Sequence, residues 1–230
     1  MIILAIDCGS TNLKAALFDG ELRRLAEGSQ PVVYLSWTTD TVEFAVDEFW
    51  RTTVRLLKRV IRDAGLEPRQ VTRIAIGSQA QTFTILDGAG RPRIPFISWI
   101  DKRPVAESGE LARRYGKRFH RHCSIHAPIP NLTLTKLVWL RRRFPNRFPA
   151  GAKVVPLPTY VARRLAGVNA VDRNWAAMGG VYSLAQRYWW DEALAACGVT
   201  AGQLPPLVDV GASVPARTPN PALGRSDTLK

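Results

Sequence analysis

The segment Asp7-Cys8-Gly9-Ser10-Thr11-Asn12-Leu13-Lys14 constrains this chain more than any other stretch. It joins two apolar runs, IILAID over residues 2–7 and LKAALF over residues 13–18. Short apolar runs bounded by small polar residues read as buried strands. Asp19-Gly20 then gives a hairpin signal, and a third strand is expected over residues 24–34. The chain therefore opens as an antiparallel meander. That excludes a dinucleotide fingerprint, which needs a helix after its glycines, and the G-x-x-x-x-G-K of a P-loop is absent. An acid such as Asp7 at a strand end can hold a hydrated magnesium ion. Gly9 admits close approach of an anion. Ser10, Thr11 and Asn12 offer short donors, and Lys14 offers a positive charge. Phosphoryl transfer uses these parts. An ordinary polar turn between two strands has the same composition, and the loop alone leaves that reading open.

Beyond the meander, strands alternate with helices, which points to a layered α/β fold. Asp47 is expected to cap a helix carrying Trp50, Val54, Leu57 and Ile61 at helical spacing, stopped at Gly65. Residues 71–76 and 82–86 read as strands, the first buried and the second closed by the turn Asp87–Gly90. Further helices are expected from Pro104 to Tyr115, from about Leu132 to Phe144, from Pro158 to Gly167 and from about Trp190 to Cys197. From Leu204 onward prolines accumulate and patterning fades, so residues 204–230 read as a connector following a domain over residues 1–203.

Composition narrows the partners. Cys8, Cys123 and Cys197 are odd in number and widely spaced, against a disulfide framework or a zinc site and for a reducing, cytoplasmic setting. The opening MIILAID lacks the basic flank and length of a signal peptide, and no stretch reaches the roughly 20 apolar residues of a membrane span. The net charge of +13, from 32 basic and 19 acidic residues, suits nucleic acid or a generally Arg-rich composition. The longest basic run, Arg141–Arg143, ends an expected helix, where cations are favoured without nucleic acid. Neither nucleic acid nor membrane is expected as a partner.

Several later segments, in order, resemble the FGGY family of carbohydrate kinases, whose superfamily includes actin and Hsp70. The loop Asp7–Lys14 resembles the superfamily's first phosphate motif. Ile74-Ala75-Ile76-Gly77-Ser78-Gln79 resembles the strand that delivers sugar-binding residues, and Pro95–Arg103 contains the family's W-x-D-x-R as Trp99, Asp101 and Arg103. Thr135-Lys136-Leu137-Val138-Trp139-Leu140 matches its T-K-x-x-W-L helix. Pro158–Gly167 with Ala170-Val171-Asp172, then Trp190-Asp191 and Cys197-Gly198-Val199 through Leu204-Pro205, resemble stretches that follow. The resemblance implies a ribonuclease H-like (actin-like ATPase) α/β lobe, with a mixed sheet, an antiparallel N-terminal meander and flanking helices. It implies ATP-dependent phosphoryl transfer to a sugar or polyol, with ATP and Mg2+ as cofactors. Asp7 would hold the metal, and Gly9, Ser10, Thr11, Asn12 and Lys14 would meet ATP phosphates. Gln79, Ala80, Gln81, Trp99, Asp101, Arg103 and Asn131 would line the sugar pocket.

The chemistry of such a pocket can be weighed beside the resemblance. Amides such as Gln79 and Gln81 both donate and accept, and they share a face if their strand continues. Trp99 supplies either an aromatic platform or plain core. Asp101 and Arg103 serve either sugar hydroxyls or each other as an ion pair. The sequence departs from glycerol kinases, which carry Arg-Glu where this chain has Ala80-Gln81 and a tyrosine where it has Asn131, and from the Met-His of xylulokinases. Glycerol is thus disfavoured, xylulose is unsupported and the sugar is not chosen. The family's general base, in a G-D-[QN] motif, is expected beyond Lys230, so Asp172, which lies upstream of it, is not that base. The chain is accordingly read as an N-terminal half, whose ATP lobe lies on the same or a separate chain, with a homodimer left open. A non-catalytic sugar-binding lobe or inactive fragment is the alternative.

Overall fold

The computed structural model describes residues 1–123 and 125–216. The opening meander forms as expected: β1 (Ile3–Cys8), β2 (Asn12–Phe18) and β3 (Arg24–Pro31) pair antiparallel in turn. β3 ends at Pro31, short of residue 34; beyond it Val32 N–H donates to Thr11 O and the Tyr34 hydroxyl to Ser10 O, so the chain turns inward to the first loop. The hairpin at Asp19-Gly20 is longer than a two-residue turn. Asp19 accepts from the amides of Glu21 and Arg23, and Leu22 takes a left-handed φ of 62°.

A short hairpin of β4 (Ser36–Trp37) and β5 (Val42–Phe44) leads into helix α1 (Val46–Asp63), and β6 (Arg73–Ser78) then pairs parallel with β1. The first sheet is ordered β3-β2-β1-β6. Its period-2 register puts Leu4, Ile6, Cys8, Leu13, Ala15 and Leu17 on one buried face, in a core shared with α1. Asp7 and Lys14 are cross-strand partners on the opposite, open face. Two expectations need correction here. Ala45, not Asp47, occupies the N-cap of α1, and Asp47 lies in the first turn, where its charge still favours the helix dipole. β6 was expected to be buried, yet it alternates between exposed and half-buried residues, because it is the last described strand of its sheet.

The second sheet is antiparallel, with order β4-β5-β8-β7-β9, adding β7 (Phe83–Leu86), β8 (Phe96–Ile97) and β9 (Lys153–Pro156). Around it pack α2 (Val105–Tyr115), α3 (Arg118–His122), α4 (Thr133–Arg143) and α5 (Leu157–Ala166). Leu134, Leu137 and Val138 of α4 face the core, as their spacing requires. Next come β10 (Val171–Asp172), α6 (Arg173–Met178), the hairpin β11 (Tyr182–Ser183) with β12 (Tyr188–Trp189), and α7 (Asp191–Cys197). Asp172 caps α6 by accepting from the amide of Trp175 at 2.9 Å, a structural role. The connector expected from Leu204 begins inside the folded body: Leu204 is buried, and β13 (Leu207–Val208) pairs parallel with β10. Residues 217–230 of that connector lie outside the described residues. Among the described residues, no helix is long and apolar enough to cross a membrane.

Helix α1 rests on β3 at Gly28, where a Cβ would lie 2.9 Å from Leu56 Cδ1 and 2.9 Å from Val60 Cγ2. Gly28→Ala is expected to overpack this contact and cost about 1–3 kcal/mol, lowering the urea midpoint at unchanged m. An unchanged midpoint would show that α1 does not depend on this approach.

Candidate functional site

The first loop, residues 9–11 between β1 and β2, is tied down through its carbonyls. Gln79 Nε2 donates to Gly9 O at 3.2 Å, the Tyr34 hydroxyl donates to Ser10 O at 2.6 Å, and Val32 N–H donates to Thr11 O at 3.0 Å. With three successive carbonyls held by the body of the protein, the loop is left rich in unused donors, the electrostatic preference of an anion site. Gly9 cannot be replaced without movement, since a Cβ there would lie 2.8 Å from Asn12 O. Ser10 and Asn12 are half-buried, while Thr11 and Lys14 are exposed. Asp7 is exposed beside Gly77 of β6, its register neighbour, which has no side chain to crowd it. Among the described residues no group of three or more His, Cys, Asp or Glu could cage a metal. One open carboxylate beside an anion loop does suit Mg2+, which keeps several waters and shares phosphate oxygens. Cys8, buried beneath the loop, has its thiol pushed up to about 12 by burial and by the Asp7 charge, so it carries no thiolate chemistry.

The residues expected to line a sugar pocket separate into two groups. Gln79 is engaged at both ends of its amide: Nε2 donates one N–H to Gly9 O, and Oε1 accepts from Thr82 Oγ1 at 2.8 Å and Ser98 Oγ at 3.2 Å. Asp101 is fully buried and accepts from Val42 N–H at 3.0 Å, while Arg103 Nη2 sits 2.9 Å from its Oδ2. Arg103 also reaches Glu43 Oε2 at 3.3 Å and lies over the Trp139 ring. This is the geometry of an internal ion pair. Asn131 Nδ2 donates to Trp99 O at 3.0 Å, and Ala80 packs on the core.

Trp99 and Gln81 differ from these. Trp99 is 42% exposed, with its backbone N–H donating to Thr82 Oγ1 and its indole Nε1–H to Ser10 Oγ at 2.8 Å. Gln81 is 7% exposed, has a left-handed φ of 60°, and its buried Oε1 accepts no hydrogen bond. β6 ends at Ser78, so Gln79 and Gln81 do not alternate on one strand as expected. A strained, buried amide with an orphaned acceptor costs stability.

The supports beneath this wall were not singled out in the sequence. Lys136, quoted there only as part of a helix motif, is fully buried and donates from Nζ to Ser98 O at 2.7 Å. Burial pulls its pKa down to about 7, against the opposing attraction of Asp101. Tyr34, Thr82 and Ser98 likewise show their roles only in three dimensions.

The basic excess lies elsewhere. Thirteen of the 32 Lys and Arg fall between Leu111 and Val171, where there is no Asp or Glu; the other 19 are matched by 19 acids. Arg141–Arg143 end α4, whereas Asn131, Thr133 and Lys136 meet the site at its start. Eleven residues of helix separate those ends by about 16 Å. The charge is therefore segregated along the sequence, and Arg141–Arg143 lie at the opposite end of α4 from Thr133.

Comparison with known proteins gives the family and the fold. Residues 2–223 match the FGGY family of carbohydrate kinases, N-terminal domain. A glycerol kinase of Thermococcus onnurineus is 28% identical over 207 residues, covering 88% of this chain and 42% of the relative. The crystal structure of a xylulose kinase from Rhodospirillum rubrum superposes with a TM-score of 0.83 at 25% identity, covering 90% of this chain and 43% of that one. A gluconate kinase structure from Lactobacillus acidophilus shares the fold, at TM-score 0.77 and 21% identity over 90% of this chain and 42% of that one. The chain spans less than half the length of these relatives.

Between pH 7 and the ordinary lysine value of 10.5, the unfolded chain holds a proton on Lys136 that the folded chain has released. Stability should therefore rise with pH through that window, the burial penalty being largest below pH 7. Urea titrations at about pH 7 and about pH 9 should show a gain at the higher pH that shrinks in Lys136→Met. An identical gain in both proteins would contradict the shifted lysine.

Proposed function

The chain belongs to the FGGY family of carbohydrate kinases, and on that footing we propose that it forms the sugar wall and part of the phosphate wall of an ATP-dependent kinase acting on a sugar or polyol hydroxyl. One observation carries the reading: the exposed Trp99 is joined to the loop after β1 by its indole bond to Ser10, and to the turn before β7 by its N–H bond to Thr82. A sugar laid on the exposed Trp99 face would bury its C–H surface there. Ser10, Thr11, Asn12 and Lys14 meet ATP phosphates, with Gly9 admitting their close approach. Asp7 holds Mg2+, which when bound neutralises charge on the phosphates. Gln79, Asp101, Arg103 and Asn131 keep the wall rigid, and so contribute through position.

The proton of the accepting hydroxyl needs a base. Asp101 is spent on Val42 and Arg103, and Asp172 is spent on a helix cap, so the base is proposed to come from the remaining length of a complete family member. The Ala80-Gln81 pair and Asn131 set this pocket apart from the glycerol and xylulose patterns. A neutral amide suits a neutral polyhydroxylated substrate, and the panel to screen runs from glycerol, xylulose and gluconate through other pentuloses and hexuloses.

In the complete protein, Asp7→Asn should lower turnover by about two orders of magnitude or more while sugar affinity stays within about twofold. An ADP-release assay and sugar titration calorimetry check the two halves. Equal losses of both would remove Asp7 from the metal role, and absence of turnover with every sugar would leave a non-catalytic binding lobe.

A further inference from the structure

The indole N–H of Trp99 is spent on the phosphate side of the site, not on a sugar. Trp99 Nε1 donates to Ser10 Oγ at 2.8 Å across 89 residues of sequence. An indole nitrogen only donates, so Ser10 Oγ is the acceptor in this bond. A serine oxygen that accepts still owns one proton. No described residue accepts from the Ser10 hydroxyl, and Ser10 is only half-buried. The Ser10 carbonyl is fixed independently by Tyr34 at 2.6 Å, so the residue's backbone cannot swing away. The Trp99 end is fixed as firmly. Thr82 Oγ1 accepts from its N–H at 3.0 Å, Asn131 donates to its carbonyl at 3.0 Å, and buried Lys136 holds the carbonyl of Ser98 at 2.7 Å.

We infer that Trp99 is a positioning residue for the phosphate loop: its indole N–H occupies one lone pair of Ser10 and thereby aims the Ser10 proton at the phosphate oxygen. The assignment rests on the reading above that Ser10 meets phosphate. It gives one side chain two separable duties, an aromatic face for the sugar and an N–H for the nucleotide side. It also makes the two sites communicate. A sugar that shifts the Trp99 ring shifts the Ser10 donor, so sugar occupancy tunes phosphate contact through a single hydrogen bond, a coupling that is reciprocal.

Trp99→Phe separates the duties, because it keeps an aromatic face and deletes only the N–H. In the complete enzyme it should raise KM for ATP about fivefold to tenfold, leave KM for the sugar within about twofold, and leave the melting temperature nearly unchanged. Ser10→Ala should raise KM for ATP at least as much, and the double variant should be no worse than Ser10→Ala alone. Additive losses, or a rise confined to sugar KM, would overturn the assignment. A second measurement is independent of kinase activity. In the 230-residue chain, the 15N indole resonance of Trp99, identified by its loss in Trp99→Phe, should move on titration with magnesium pyrophosphate and should stay still in Ser10→Ala. An indole signal indifferent to pyrophosphate in the wild-type chain would also overturn it. A moving signal without any sugar-dependent turnover would keep the coupling and discard the sugar kinase reading.

Discussion

The side chain of Gln79 is the joint on which the site depends. Its backbone N–H donates to Cys8 O, its Nε2 to Gly9 O across 70 residues, and its Oε1 accepts from Thr82 and Ser98. One amide thus links the end of β1, the start of β7 and the exit of β8, which belong to two different sheets. Removing it would strand several half-buried polar groups at once, which costs far more than one average hydrogen bond. Through this joint the loop after β1 is tied to the segments that carry Thr82 and Ser98, on either side of which the Trp99 wall is built.

A second constraint holds the wall from behind. Asn131, two residues before α4, donates to the Trp99 carbonyl and Lys136 of α4 to the Ser98 carbonyl, while Asp101 ties the same segment to the amide of Val42. Burying a lysine is expensive, and the fall of its pKa to about 7 reflects that expense. A methionine would fill the space more cheaply, but it could not reach a carbonyl. The cluster of buried Lys136 and Asp101 with partly buried Arg103 and Glu43 therefore specifies a loop geometry more than it adds stability.

The fold was largely legible in the sequence, because strong local signals agreed with the tertiary outcome. The apolar runs around Asp7–Lys14, the helical spacing from Trp50 to Ile61, and Gly167 and Gly198 as left-handed helix stops all appear where the pattern put them. The errors have physical causes. Asp47 was read as a cap, although a first-turn acid looks the same in sequence. β6 reads as buried because its residues are apolar, whereas burial depends on what covers the sheet. Strands as short as β4, β8 and β10 carry too few residues for a period to show. For the candidate site residues, the contacts they make were not legible. Nothing in the order of amino acids says that Gln79 bridges Gly9 and Thr82, that Gln81 has a positive φ and an orphaned oxygen, or that Asp101 faces inward.

The central claim is that the loop at residues 8–12 and the wall at residues 79–82 and 98–101 form one site. Hydrogen–deuterium exchange on the 230-residue chain tests it most directly, with magnesium pyrophosphate and each sugar of the panel added separately and then together. The account predicts that a bound sugar slows exchange in the wall and also in the loop, and that pyrophosphate slows both in the reverse sense. Protection confined to the loop with one ligand and to the wall with the other would mean two unconnected sites and would contradict the account.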